Sequence, residues 1–225
     1  MTSFDLSSSD VRALNQALHQ EQAQGSQMTV ANPGGKHNVA VGAQYACDVE
    51  VDGHVGYYCA GMNQNASITV NGNAGPGLAE NMMSGIVRVK GNASQYCGAT
   101  AHGGTLIIEG DAAARCGISM KGVDIVVQGS IGHMSAFMAQ TGRLVICGDA
   151  GDALGDSIYE ARIYLRGKAA SLGTDCIEKP MEEEHKKELA ALLEKAGFDY
   201  SVDEFKRYGS ARQLYNFQID NVGAY

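Results

Sequence analysis

Glycine recurs at one fixed interval through the middle of this chain. Gly53, Gly72, Gly91, Gly110, Gly129, Gly148 and Gly167 follow one another at 19-residue spacing without insertion or deletion. A period of this length, held over seven turns, is the signature of a solenoid. An aliphatic residue stands four and two positions before each glycine: Val49/Val51, Ile68/Val70, Val87/Val89, Leu106/Ile108, Ile125/Val127, Leu144/Ile146 and Ile163/Leu165. These pairs have the two-residue period of a strand. Coils stacked one strand spacing apart would align them in rows, so the predicted fold is all-β, a parallel β-helix of about seven 19-residue coils.

Two further columns keep the same register. Small residues recur seven positions after the glycine (Ala60, Ala79, Gly98, Gly117, Ala136, Gly155, with Thr174 in the last coil), and again near position thirteen (Ala66, Gly85, Gly104, Gly122, Gly142, Ala161). Both read as corners, the second set as places where glycine supplies backbone angles a side chain would forbid. A glycine-rich disordered chain would show neither the register nor the aliphatic pairs.

The expected organisation is an N-terminal helix and linker over 1–30, the β-helix over 31–175, and a C-terminal helix with an aromatic tail over 176–225. Ser7 to Gln22 reads as a helix with Val11, Leu14, Ala17 and Leu18 on one face, placed to cover the first open strand. The segment from Met28 to Ala46 is an irregular first coil, with an N-P-G-G turn at Asn32–Gly35 and a short alternating run at Val39 and Val41. Regular coils start near Asp48. Pro180 opens a second helix that ends at Gly197, with Leu189, Leu192, Leu193 and Ala196 as its apolar face. Ser201 to Glu204 is a capping box for a further short helix. Of ten tyrosines and five phenylalanines, seven fall after Ala196: Phe198, Tyr200, Phe205, Tyr208, Tyr215, Phe217 and Tyr225. Such a tail would cap the last coil or dock on a partner, and the stretch from Tyr208 to Tyr225 is the part expected to reach out.

Composition narrows the function classes. A formal charge of −8, with no basic cluster, argues against nucleic acid and against an anionic membrane surface as partners. Neither a leader nor an apolar run of membrane-spanning length is present, so a cytoplasmic location is the expectation. The six cysteines, Cys47, Cys59, Cys97, Cys116, Cys147 and Cys176, form no C-x-x-C pair and are expected reduced.

Candidate chemistry is sparse. Cys59, Cys97 and Cys116 share one column and are the best candidate metal ligands, but no histidine or carboxylate completes the set, and a small core residue is the plainer reading. The histidines, His19, His37, His54, His102, His133 and His185, do not stack. Asp111 and Asp149 share a column two coils apart, roughly 10 Å, and the strict period leaves no long loops to build a polysaccharide-cleaving groove around them. The G-P-G at Gly75–Gly77 lacks the third glycine of a dinucleotide loop, and no P-loop, H-E-x-x-H or G-x-S-x-G occurs. No catalytic, cofactor-binding or metal residue is assigned on these grounds; the chain reads as a binding or scaffolding solenoid.

The coils VNGNAGPGLAENMMSGIVRVKGNASQYCGATAHGGTLIIEGDAAARCGISMKG resemble the repeated G-x-G-x-G unit of the glutamate synthase C-terminal domain, over roughly residues 30–175. The resemblance rests on the period and on the G-[ND]-A corners at Gly72–Ala74, Gly91–Ala93, Gly110–Ala112 and Gly148–Ala150. It implies a right-handed parallel β-helix. HVGYYCAGMNQNA, SIGHMSAFM and RYGSARQLYNFQIDN are most similar to the free-standing β-helix subunits of N-methylglutamate synthase, also called methylamine–glutamate N-methyltransferase. That family implies a non-catalytic structural subunit joining a glutamine amidotransferase-like subunit to an FMN-binding glutamate synthase-like subunit, with FMN and an iron–sulfur cluster on a partner and none on this chain. Similar repeats in a formylmethanofuran dehydrogenase subunit give a second reading, and a self-sufficient β-helix enzyme a third.

Overall fold

The computed structural model describes residues 2–214. Among these, one eleven-stranded sheet forms the spine. Its strands are β1 (Thr2–Asp5), β2 (Gln27–Ala31), β3 (Asp48–Asp52), β4 (Ser67–Val70), β5 (Ile86–Val89), β6 (Thr105–Ile108), β7 (Lys121–Val127), β8 (Thr141–Ile146), β9 (Arg162–Leu165), β10 (Cys176–Lys179) and β11 (Lys206–Ser210). Each strand from β1 to β8 pairs in parallel with the next. From β3 to β9 the 19-residue offset runs through Val49↔Ile68↔Val87↔Leu106↔Ile125↔Leu144↔Ile163. All fourteen aliphatic side chains of the pairs are buried. The fold is the expected parallel β-solenoid of about seven turns.

The ladder glycines are required for a reason other than backbone angle. A Cβ on Gly110 would lie 2.2 Å from Asn92 Oδ1 and 2.8 Å from the Gly91 carbonyl oxygen. From Gly72 to Gly167 each ladder glycine packs directly on the one before it, and only hydrogen fits between; Gly53, the first, packs on the Pro33 ring instead. The residue after the glycine uses that closeness. Asn73, Asn92 and Asp111 each accept, through Oδ1, the backbone N–H of their counterpart one coil on, at 2.7–2.8 Å. Ser130 and Asp149 continue the series. The alanine that follows makes a parallel bridge from coil to coil: Ala74↔Ala93↔Ala112. The G-[ND]-A motif is therefore a stack, a polar ladder and a backbone bridge in consecutive residues.

The N-terminal coils depart from the period. Met28 pairs with Val49 and Val30 with Val51, an offset of 21, so the inward pair of this coil lies outside the 19-residue register. Helix α1 (Val11–Leu18) is shorter than the sequence suggests, because Asp10 accepts from the Arg12 N–H and sets the start there. The residues before it form β1, an additional strand at the edge of the sheet. Leu14 and Leu18 of α1 bury against the core together with Leu6. Val39 and Val41 belong to no strand; they lie in a turn region with left-handed backbone at Asn38, Ala40 and Gly42.

The C-terminal half also differs from expectation. Helix α2 (Glu183–Ala196) starts after Pro180, at a Glu182/His185 capping box, and stops at Gly197 with φ 76°. It does not cap the end of the solenoid but lies on the outer face of the sheet. Leu189, Leu192, Leu193 and Ala196 cover Ile107, Val126, Val145 and Tyr164, the outward residues of β6 to β9. In the earlier strands the equivalent positions are Glu50, Thr69 and Arg88. Strands buried on both faces read as unbroken apolar runs, so L-I-I, I-V-V, L-V-I and I-Y-L mark the covered half. The end of the sheet is closed instead by β11, which pairs antiparallel with β9 and carries β10 on its other edge. Tyr208 is a buried part of β11, not part of a protruding tail, whereas Tyr215, Phe217 and Tyr225 lie outside the described residues. The capping box at Ser201–Glu204 forms, on a short 3-10 helix, Val202–Glu204. No helix among the described residues is long and apolar enough to cross a membrane.

Candidate partner-docking face

The structure brings Cys59, Cys97 and Cys116 into one column as the spacing requires, with Leu78 between the first two, and buries all three completely. The neighbouring Cys97 thiol, with burial, raises the Cys116 thiol well above its usual range; burial alone pushes Cys59 to about 12. A thiol that resists ionisation is neither a nucleophile nor a ready metal ligand. Cys147 faces outward under α2 and Cys176 lies at the last coil, both pushed by burial to about 12.

Asp111 and Asp149 are members of the polar ladder, each accepting one backbone N–H. The histidines are dispersed. His19 Nε2 meets the Val41 carbonyl at 3.0 Å, His54 Nδ1 accepts the Asn73 N–H, and His37 stacks on Tyr57 with ring centroids 4.4 Å apart. His102 and His133 are exposed. One potential ligand group that sequence spacing did not single out is Glu182, Glu184 and His185, whose ligand atoms fall within 4.8 Å of one another. Two of its members are already engaged in capping α2. Burial, then Arg207 and Arg162, lowers the His185 pKa, a setting that also disfavours a bound cation.

What the coils display outward is a different kind of site. Five, seven and nine positions after the ladder glycine, the backbone turns left-handed in coil after coil: Tyr58, Ala60 and Met62; Gly77, Ala79 and Asn81; Tyr96, Gly98 and Thr100; Arg115, Gly117 and Ser119; Met134, Ala136 and Met138. Positions six and seven are both buried, so the side chains do not alternate here as they do along a strand. The middle position is inward, which explains its restriction to alanine and glycine. The outer two carry side chains to solvent from a conformation that costs a non-glycine residue about 1–2 kcal/mol. Coil-to-coil hydrogen bonds hold it: Tyr58 N–H to Pro76 O at 2.9 Å, Ala60 N–H to Val39 O at 2.9 Å, and Met62 N–H to Glu80 O at 2.8 Å.

Large apolar side chains stand exposed at these positions. Tyr58, Met62 and Met138 are exposed, Tyr58 and Met62 by about half (50% and 52%), and Tyr57, Met83 and Tyr159, at positions four and eleven, are exposed as well. Met62 and Met138 occupy the same column four coils apart, roughly 19 Å. Val41, Tyr58, Gly61, Met62, Glu80 and Asn81 line a hollow of about 300 Å³. Methionine and tyrosine at exposed, backbone-rigid positions suit protein contact: tyrosine contributes area at little entropic cost, and methionine adapts to a partner's shape. The signal was present in the sequence as tyrosine and methionine at positions five and nine. Attention to the aliphatic columns alone passes over it.

No family model matches the chain. The curated protein described as Protein GlxC, from Rhizobium meliloti (strain 1021), is 60% identical to it over 228 residues, an alignment that spans 100% of both chains.

Proposed function

The chain belongs to the family of Protein GlxC, and from that premise we propose that it is the β-solenoid subunit of a glutamate synthase-like heteromeric enzyme, most specifically an N-methylglutamate synthase. In this reading it holds a glutamine amidotransferase-like chain against an FMN-binding synthase-like chain in the cytoplasm. The complex converts methylamine and L-glutamate to N-methyl-L-glutamate and ammonia. FMN and the iron–sulfur cluster sit on a partner. The chemistry belongs to the partners, and this chain supplies a rigid spacer with an adhesive face.

The observation that carries the reading is the combination of an unbroken 19-residue glycine ladder with G-[ND]-A corners in four of its coils, which resembles the glutamate synthase C-terminal domain, with a turn face that exposes tyrosine and methionine. A solenoid filled by its own side chains has no internal passage, so any route for ammonia or amine between partners runs along its outside. The buried cysteines, no more than three of which share a column, fit a cluster held elsewhere, since such clusters need four thiolates brought together.

The test is purification of the protein from its native source, identification of the chains that accompany it, and assay of the assembly with methylamine and glutamate. Association with a flavin and iron–sulfur chain and an amidotransferase-like chain, with N-methylglutamate formed, is the expected outcome. A chain that purifies alone, or turns over substrate by itself, overturns the proposal.

A further inference from the structure

The hollow in the first two coils has a feature that the rest of the turn face lacks. Glu80 and Tyr58 both crowd over Gly77, where an added Cβ would come within 2.8 Å of the Tyr58 ring and 3.0 Å of Glu80 Oε2. The carboxylate is thus held half-buried against an aromatic edge, with Met62 and Val41 on the same wall. Burial raises its pKa, and no side-chain hydrogen bond or ion pair to it occurs among the described residues. Glu21 and Glu194 also lack such a partner, but both are exposed; most other glutamates that are not exposed, and several that are, have a basic partner. Glu109 meets Arg88, Glu160 meets Arg212, Glu178 meets Lys206, Glu188 meets Arg143 and Arg162, and Glu204 meets Arg166. An unpaired carboxylate set beside exposed tyrosine and methionine is a charge that lacks its complement.

We infer that this hollow is a docking point for a partner subunit that inserts an apolar side chain between Tyr58 and Met62 and pairs an adjacent lysine or arginine with Glu80. The inference rests on the reading of this chain as a subunit and specifies the contact chemistry of one of its faces. A small-molecule ligand is a poorer fit, because such sites converge several free polar groups, and here Glu80 is the one charged group while the Asn81 side chain already accepts from Thr100 Oγ1. A symmetric second copy is disfavoured too. An isologous contact would bring Glu80 toward its own counterpart, between chains that each carry a net −8. The backbone around the hollow is already fixed, with Tyr58, Met62 and Asn81 left-handed and each N–H bonded to a neighbouring coil. Little ordering is left to oppose binding. That backbone is common to every coil; the side chains single out this site.

The experiment uses the assembled complex with a photo-crosslinking amino acid in place of Met62. The expected result is a crosslink to a different chain, at a segment with lysine or arginine within two residues of an apolar side chain. Crosslinks only to a second copy of this chain, only to an acidic segment, or none within an intact complex overturn the inference. In parallel, Glu80→Lys is expected to weaken subunit association at least about thirtyfold and Glu80→Gln about tenfold, both with unchanged melting curves. Glu194→Lys, exposed on α2, serves as the charge-matched control. An intact complex that tolerates Glu80→Lys sinks this inference and leaves the proposed function standing, whereas a wild-type chain that never associates removes both.

Discussion

The Tyr164 hydroxyl, on the outer face of β9, donates a 2.5 Å hydrogen bond to the Glu188 carboxylate of α2. The same carboxylate receives Arg143 and Arg162 at 2.9 Å, and Arg143 also reaches Asp124 at 2.7 Å. This group pins the helix to strands β7, β8 and β9. At the other end of α2, Arg88 donates to the Ala196 carbonyl at 3.0 Å and Lys195 to Thr105 Oγ1 at 2.7 Å. The leucine face of α2 supplies the area, and the polar pins set where along the sheet it lands.

Glu188→Gln is expected to destabilise the protein by about 1–3 kcal/mol, the range for a partly buried, charge-assisted network losing its centre. Burial would raise the Glu188 pKa, but the Tyr164 hydroxyl, Arg143 and Arg162 outweigh it and hold it below its ordinary value of 4.5. A lowered folded-state pKa means that the stabilisation is complete above pH 4.5 and shrinks as pH falls below it. Melting curves of wild type and Glu188→Gln should therefore converge in acid. Asp124, whose carboxyl is raised by burial against the pull of Arg143, is present in both proteins and largely cancels in the comparison. A constant difference down to pH 3 would contradict the assignment.

Val89→Asp should yield insoluble or unfolded protein, because Val89 is fully buried and an unpaired polar group in an apolar stack costs roughly 2–7 kcal/mol. Its neighbour Lys90 alternates outward and is exposed. Lys90→Asp should keep the parent melting temperature to within a few degrees. Soluble expression and circular dichroism of the two variants check the inward register.

Gly110→Ala should be more damaging than Gly197→Ala. The first places a methyl 2.2 Å from Asn92 Oδ1 against backbone on the coil below, whereas the second meets nothing within 4 Å and strains only a left-handed cap at φ 76°. The cap substitution should cost about 1 kcal/mol. Denaturant unfolding that ranks the two the other way would show that the glycine ladder is not a steric requirement.

A chain ending at Phe205 should melt well below one ending at Leu214. The shorter chain lacks β11, which leaves the β9 edge open and β10 without its neighbour. Differential scanning calorimetry of the two truncations measures the difference, and equal melting temperatures would mean that β11 contributes nothing to closing the sheet.

The inward columns were legible because each residue in them packs against its own counterpart 19 positions away. Val87 on Ile68 and Leu106 on Val87 are near-identical contacts repeated, so periodicity alone exposes them. The strands, the buried pairs, the small residue at the seventh position and the G-[ND]-A corners all follow from that repetition. Helix α2 was visible as a helix for a related reason, since its leucines have a period of their own.

Where α2 docks, why β11 returns between β9 and β10, and which outward side chains form a hollow were decided only by the tertiary structure. Arg88 meets Ala196 across 108 positions of chain and Lys195 meets Thr105 across 90, and no repeat relates such pairs. Position along a repeat tells a residue which neighbour it stacks on; it carries no information about what will be laid across the outside. Sequence therefore determined the solenoid from within, through contacts each coil makes with its own copy. The helix, the closing strand and the turn face depend on surfaces that exist only once the coils have stacked.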